Sequence, residues 1–207
     1  MFYEPKKGYP LLHNPFNALV FPRPIGWISS LSKTGIANLA PYSFFNAIAY
    51  VPPQVMFSAT AYHNQGGFKD SVANILSTKE FVINLATKKL KQQVVQSSID
   101  APNDIDEFKL MKLKKRKSKI VKPPSVAESP VNLECRLLKK IDLKTTSKNK
   151  NQNKMIIGEV VGIYIDNKFI KNNKINSLAM RAISRMGYTE YSEVNFKFLM
   201  ERPKWKN

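Results

Sequence analysis

Cysteine, histidine and acidic residues are scarce in this 207-residue chain. Cys135 is the only cysteine, so an internal disulfide is excluded and a reducing cytoplasm is the simplest expected compartment. One cysteine and two distant histidines, His13 and His63, do not make a usual zinc set, so no metal is expected. No apolar run reaches the roughly 18 residues that would cross a bilayer. The opening MFYEPKKGYPLLHNP has no apolar stretch ahead of a small-residue cleavage site, so no secretory signal is expected either. Ser–His–Asp, paired-carboxylate and P-loop patterns are missing. Hydrolase and nucleotide-kinase readings therefore lack support, and no side chain stands out as catalytic.

What is present is enough apolar material for a core. A hydrophobic content of 43% with 11% aromatics suits one packed domain spanning 1–207. Acidic residues number 15 against 33 Lys and Arg, a formal charge of +18. That excess could serve nucleic acid, because cations neutralise phosphates and release counterions. In 144–154 (KTTSKNKNQNK) and 171–176 (KNNKIN), however, lysine is mixed with asparagine and reads as compositional drift. The densest run is 104–124, DIDEFKLMKLKKRKSKIVKPP, with eight Lys and Arg between Lys109 and Lys122. It reads as a solvated helix face or a basic insertion. A nucleic-acid-binding module built on 109–124 is the remaining alternative.

Residues 22–58 contrast with this background, holding only Arg23 and Lys33 as charged side chains. Ser29, Ser30, Ser43, Asn46 and Ser58 are interleaved there with Trp27, Tyr42, Phe44 and Phe45. Apolar surface with a few hydroxyls and amides suits a flat, partly polar ligand. Alternation and β-branched or aromatic enrichment predict strands over 26–31, 36–43, 54–60, 80–86, 131–138 and 155–165. The first two flank Ser32-Lys33-Thr34-Gly35 and form a hairpin, with Gly35 where a positive φ is needed. Gly158 and Gly162 mark bends or close approaches. Helices are predicted over 69–77, with Asp70 or Ser71 as cap, and over 87–97, with Leu90, Val94 and Val95 on one face. Many strands and few helices predict a barrel or sandwich with peripheral helices.

Several motifs occur in a specific order: PRPIGWISS at 22–30, NLAPYSFFNAIAYVPPQVMFS at 38–58, KDSVANI at 69–75, EFVINL at 80–85, AESPVNLECRL at 127–137 and GEVVGIYID at 158–166. ISRMGYTEYSEV and FKFLMERP complete the series. Over residues 16–203 the chain resembles the flavin reductase-like, FMN-binding split-barrel proteins. The resemblance implies a mainly β fold, an antiparallel split β-barrel with a few flanking helices, and a homodimer. It also implies FMN as cofactor and a flavin reductase activity in which hydride moves from NADH or NADPH to FMN. Reduced flavin would pass to oxygen, a partner monooxygenase or another acceptor. FMN binding without turnover is the alternative.

The resemblance also assigns residues. Ser29, Ser30, Lys69, Ser71 and Asn74 fall at the phosphate end, with Arg23 nearby, while Asp70 holds the helix start. A phosphate is well served by hydroxyls, a cation and a helix N-terminus. Ser43, Phe45 and Asn46 fall along the ring, and Trp27 lies against ring or ribityl, or in the core. Alternation on a strand leaves only about half of Tyr42, Phe44 and Phe45 free to touch a ligand. In the tail, Arg185, Gly187, Tyr188 and Tyr191 match a segment that approaches the flavin, with RMGY where the family more often has paired glycines. His63 is either an exposed loop residue or faces the substrate side. Cys135 reads as a small buried hydrophobe.

Overall fold

Seven strands form the main sheet of the computed structural model, which describes residues 1–146, 148 and 152–205. They are β1 Gly26–Leu31, β2 Ala37–Tyr42, β3 Phe45–Tyr50, β4 Pro53–Ala59, β5 Glu80–Leu85, β6 Val131–Asp142 and β7 Lys154–Ile165. Every pairing is antiparallel, in the order β2-β1-β5-β6-β7-β4-β3. The two outermost strands, β2 and β3, are consecutive in the chain, with only Ser43 and Phe44 between them. The sheet must therefore curl until its edges meet. At this corner the chain leaves β1 and takes β4 as its partner, and the Ser58 N–H donates to the Phe44 carbonyl at 2.8 Å. The result is the expected split barrel, joined at its edges by the covalent chain rather than by a continuous ladder.

Most strands lie where alternation predicts them. The β1–β2 hairpin turns at Ser32–Gly35, with Gly35 at φ 85° and its N–H donating to the Ser32 carbonyl. Register shifts in the β6–β7 ladder fall at Ile157/Gly158 and Val160/Gly162, beside both glycines. β3 is the strand the pattern does not reveal. Its residues from Asn46 onward are exposed on both faces, so no alternation is imposed on them.

The core has two parts. Ile28, Phe57, Phe81, Cys135 and Ile156 pack with Val72 and Ile75 of α2, while Trp27, Leu39, Leu90, Val94, Phe108 and Val126 form a second cluster. Trp27 and Ile28 are neighbours in β1, so alternation sends them to opposite faces, and both faces are buried. Burying a large apolar side chain on either side stabilises the fold by about 1.5–3 kcal/mol.

The helices are α1 Phe16–Leu19, α2 Asp70–Thr78, α3 Lys91–Gln96 and α4 Glu107–Leu110. Lys69, not Asp70 or Ser71, is the N-cap of α2, and no side chain among the described residues caps it. Asp70 lies inside the first turn, where its charge still complements the helix dipole. The predicted 87–97 helix is a 3-10 turn, Lys88–Leu90, running into α3. Leu90 and Val94 are buried but Val95 is 44% exposed, since a step of one residue turns it off the apolar face.

The 104–124 segment is not a solvated helix face. After α4 it pairs Lys115–Arg116 with Ser125–Val126 and sends Phe108, Leu113 and Val121 inward. The carboxylate of Glu134 accepts the backbone N–H groups of Lys119, Ile120 and Val121 at 2.8, 2.6 and 3.1 Å. Arg116 donates to Asn132 Oδ1 at 2.7 Å and lies 3.8 Å from the Tyr164 ring centroid. The lysines of the segment face solvent while its backbone is fastened to the barrel. Of the Asn/Lys loop at 144–154, residues 147 and 149–151 lie outside the described residues. No helix among the described residues is long and apolar enough to cross a membrane.

Candidate functional site

The β2–β3 corner forms one wall of a cleft of about 430 Å³. Ala40–Phe44 supply the corner, Ser58–Ala61 the end of β4, Lys69–Ser71 the start of α2 and Ser97–Ala101 the turn after α3. Arg185 and Tyr188 of the tail, with Asn14 and Asn17, complete the rim. Pro41 suits its place because β2 is an edge strand, where a missing N–H is tolerated. Tyr42 packs on Phe57 with ring centroids 4.7 Å apart.

Charge is concentrated at the α2 side. Lys69 Nζ donates to Asp100 Oδ1 at 2.8 Å. His63 is 2% exposed rather than a free loop residue, because Tyr62 and Phe68 bridge and fold the loop back. Its Nδ1 accepts the Gln65 N–H at 3.1 Å, which assigns the ring proton to Nε2. Nε2 then donates to the Ala101 carbonyl at 2.9 Å and faces Asp70 and Asp100 at 3.5 and 3.7 Å. Burial raises the Asp70 carboxyl above its ordinary value, and the Asp100 charge adds to this against His63 and Lys69. Asp100 is the reverse. Burial pushes it up, but the Lys69 hydrogen bond, the nearby charges and the Asn64 N–H together hold it below the carboxylate norm. Deeper in the wall, burial raises Glu107 and pushes the Tyr42 phenol up to about 12.

Of the residues assigned from the sequence, Arg23, Ser43, Lys69 and Ser71 line this cleft, with Arg185 and Tyr188 of the tail segment. Arg23 is buried and committed. It donates to the carbonyls of Asn17, Val20 and Met186 and reaches Ser43 Oγ at 3.4 Å, tying corner, tail and N-terminal segment together. Ser71 Oγ gives its only proton to Asn38 Oδ1 at 2.8 Å, so it has no proton left for a phosphate.

The remaining assigned residues lie elsewhere. Trp27 is fully buried, with Nε1 donating to Ser97 Oγ at 2.8 Å. Ser29 Oγ donates to the Pro124 carbonyl at 2.6 Å, and Ser30 accepts from Asn74 Nδ2 at 3.2 Å. Phe45 packs in the barrel cluster, while Asn46 is exposed and its Oδ1 accepts the N–H of Ala47. The physical reason is shared. β1 has no open face, and past the corner Phe45 points inward and Asn46 outward.

In the tail, Gly187 passes so close to α1 that an added Cβ would lie 2.4 Å from Ala18 Cβ. Tyr188 takes φ 49°, a left-handed conformation that glycine adopts more readily. Tyr191 does not line the cleft; Arg185 lies 4.5 Å from its ring centroid. Asn38, Thr60, Asp100 and Glu107 are cleft residues the motifs did not single out. Thr60 had a signal, since it continues the strand beside the corner. Asp100 and Glu107 had none, because only tertiary folding brings them here.

A model of the flavin reductase like domain family matches residues 18–179. An uncharacterized protein of Aquifex aeolicus is 35% identical over 174 residues, 84% of this chain and 85% of that protein. Nitrilotriacetate monooxygenase component B from Bacillus cereus has a similar structure, with TM-score 0.83 and 25% identity over 93% of this chain and 100% of that chain. The 2-nitrobenzoate 2-nitroreductase NbaA of Pseudomonas fluorescens gives TM-score 0.78 and 27% identity, covering 91% and 88%.

Proposed function

The chain belongs to the flavin reductase-like family, and from that premise we propose that its cleft binds FMN and serves an NAD(P)H-dependent flavin reductase. The observation that carries this reading is the joining of two surfaces in one cleft. A corner of Pro41 and the aromatic Tyr42 and Phe44 meets a cation and an uncapped helix start at Lys69–Ser71.

That combination fits FMN. The volume lies in the range of small-molecule sites. Lys69 and the first-turn N–H groups of α2, a helix of nine residues, would hold the phosphate. Pro41, Tyr42 and Phe44 would cover the ring, with Ser43, Ser58 and Thr60 along its edges. Bound flavin supplies the hydride-accepting chemistry. The chain's own residues bind, orient and shield it, and none is required as a general acid or base. Trp27, Ser29, Ser30 and Asn74 fix β1 and α2 and are not ligand contacts in this reading.

The same reading includes a homodimer in the cytoplasm. Ile48, Tyr50 and Val51 on β3 and its turn, with Phe196, Phe198 and Leu199 in the tail, leave apolar surface that a second copy would cover. The likeness to nitrilotriacetate monooxygenase component B supports a partner monooxygenase as one destination for reduced flavin, beside oxygen.

Anaerobic mixing of the FMN-loaded protein with NADH and with NADPH tests the proposal. Bleaching of the flavin absorption by either is the expected result. Stable yellow colour with both leaves an FMN-binding protein without reductase turnover, and a protein that takes up no FMN removes the site as well.

A further inference from the structure

A hydrogen-bonded line runs from the 104–124 segment to the first turn of α2. Glu107 is 3% exposed, yet both its oxygens accept: Asn38 Nδ2 donates to Oε1 at 3.1 Å and the Leu39 N–H to Oε2 at 3.0 Å. An ionised carboxylate has no proton to give, so Asn38 must turn its NH2 toward Glu107. The Oδ1 of Asn38 therefore faces the other way, where it accepts from Ser71 Oγ at 2.8 Å and Ser30 Oγ at 3.4 Å. Ser71 has thereby spent its only proton. The direction of every bond in the line follows from the carboxylate at its end.

We propose that Glu107 is a positioning residue of the cleft. Acting through Asn38, it fixes the proton of Ser71 and with it the first turn of α2. Glu107, Asn38, Ser71 and Tyr42 all border the cleft. A buried carboxylate is a poor choice for stability alone, since well-packed apolar residues often do as well. A satisfied buried network instead selects one arrangement and is costly when half broken. The inference rests on the proposed FMN site for its ligand readout but not for its geometry.

A polarity swap tests it. Glu107→Gln keeps an oxygen for the Leu39 N–H but turns an NH2 toward Asn38. The Asn38 amide must then flip and present donors to Ser71 and Ser30. Adding Asn38→Asp restores the pattern, because the new amide at 107 donates to a new carboxylate at 38, which accepts from both serines.

In the apoprotein, amide exchange over residues 73–75, the first amides of α2 with carbonyl partners, should quicken about tenfold in Glu107→Gln and return to within about threefold of wild type in the double variant. FMN affinity should fall and recover in parallel, by about tenfold. A folded double variant that resembles the single one in exchange overturns the proposal. If Glu107→Gln does not fold, Ser71→Ala serves, being a small change in an intact wall. Unchanged exchange and unchanged FMN affinity in Ser71→Ala also overturn it. A wild type that binds no FMN sinks the functional reading, while the exchange measurement still decides the line.

Discussion

Two stretches of the low-charge segment, GWISSL in β1 and APYSFF at the β2–β3 corner, have similar compositions and opposite fates. β1 lies between β2 and β5 and is buried on both faces, so its Trp and two Ser complete the core. At the corner the chain changes pairing partner, one face is left open, and Tyr42, Ser43 and Phe44 border a cleft. Residue types suited to a ligand thus mark a site only where topology leaves them a free face. A serine on a central strand between two packed layers more simply satisfies a neighbouring carbonyl, as Ser29 does with Pro124.

The sharpest way to break this contrast is Trp27→Ala. Loss of a fully buried indole should destabilise the protein by about 3–5 kcal/mol, read by urea unfolding. FMN affinity of the folded protein should change little. Loss of flavin without loss of stability would instead place Trp27 at the ligand and undo the contrast from the β1 side.

Lys69→Ala is the complementary change on the cleft side. Its ammonium is partly exposed and paired with Asp100, so stability should move little. FMN affinity should fall by about 1–3 kcal/mol if the ammonium meets the phosphate. Equal affinity in an isothermal titration would move the phosphate end away from α2.

The sequence carried the barrel further than it carried the site. β1 was legible to the residue because burial and hairpin chemistry agree there. β3 was not, because a strand exposed on both faces has no alternation to show. Lys69 and Ser43 were legible through motifs that stay local in the fold. Ser29, Ser30 and Asn74 sit in those same motifs, but which way each side chain turns depends on neighbours far along the chain. Glu107 and Asp100 arrive from beyond the motifs altogether. The basic run misled for a related reason. Its charge is conspicuous in the sequence, whereas the carboxylate that anchors its backbone, Glu134, lies in a distant strand.

The smallest expected effect distinguishes the two regions electrostatically. The buried polar groups of β1 are matched, but Asp70 in the cleft wall is raised above its ordinary 3.8, first by burial and then by Asp100. A carboxyl with a raised folded pKa holds its proton more tightly in the folded than in the unfolded chain. Between the ordinary value and the raised one, the unfolded chain binds fewer protons, so this group's contribution to stability falls as pH rises. Asp70→Asn removes that dependence. The variant should therefore gain on wild type as pH climbs through the window and keep its largest advantage at neutral pH, by under about 1 kcal/mol once the lost helix-dipole contact is set against it. Urea unfolding of both proteins from acid to neutral pH measures the difference. A variant that is weaker at neutral pH and converges with wild type in acid would show that the His63 and Lys69 contacts outweigh burial. The cleft wall would then be as well matched as β1.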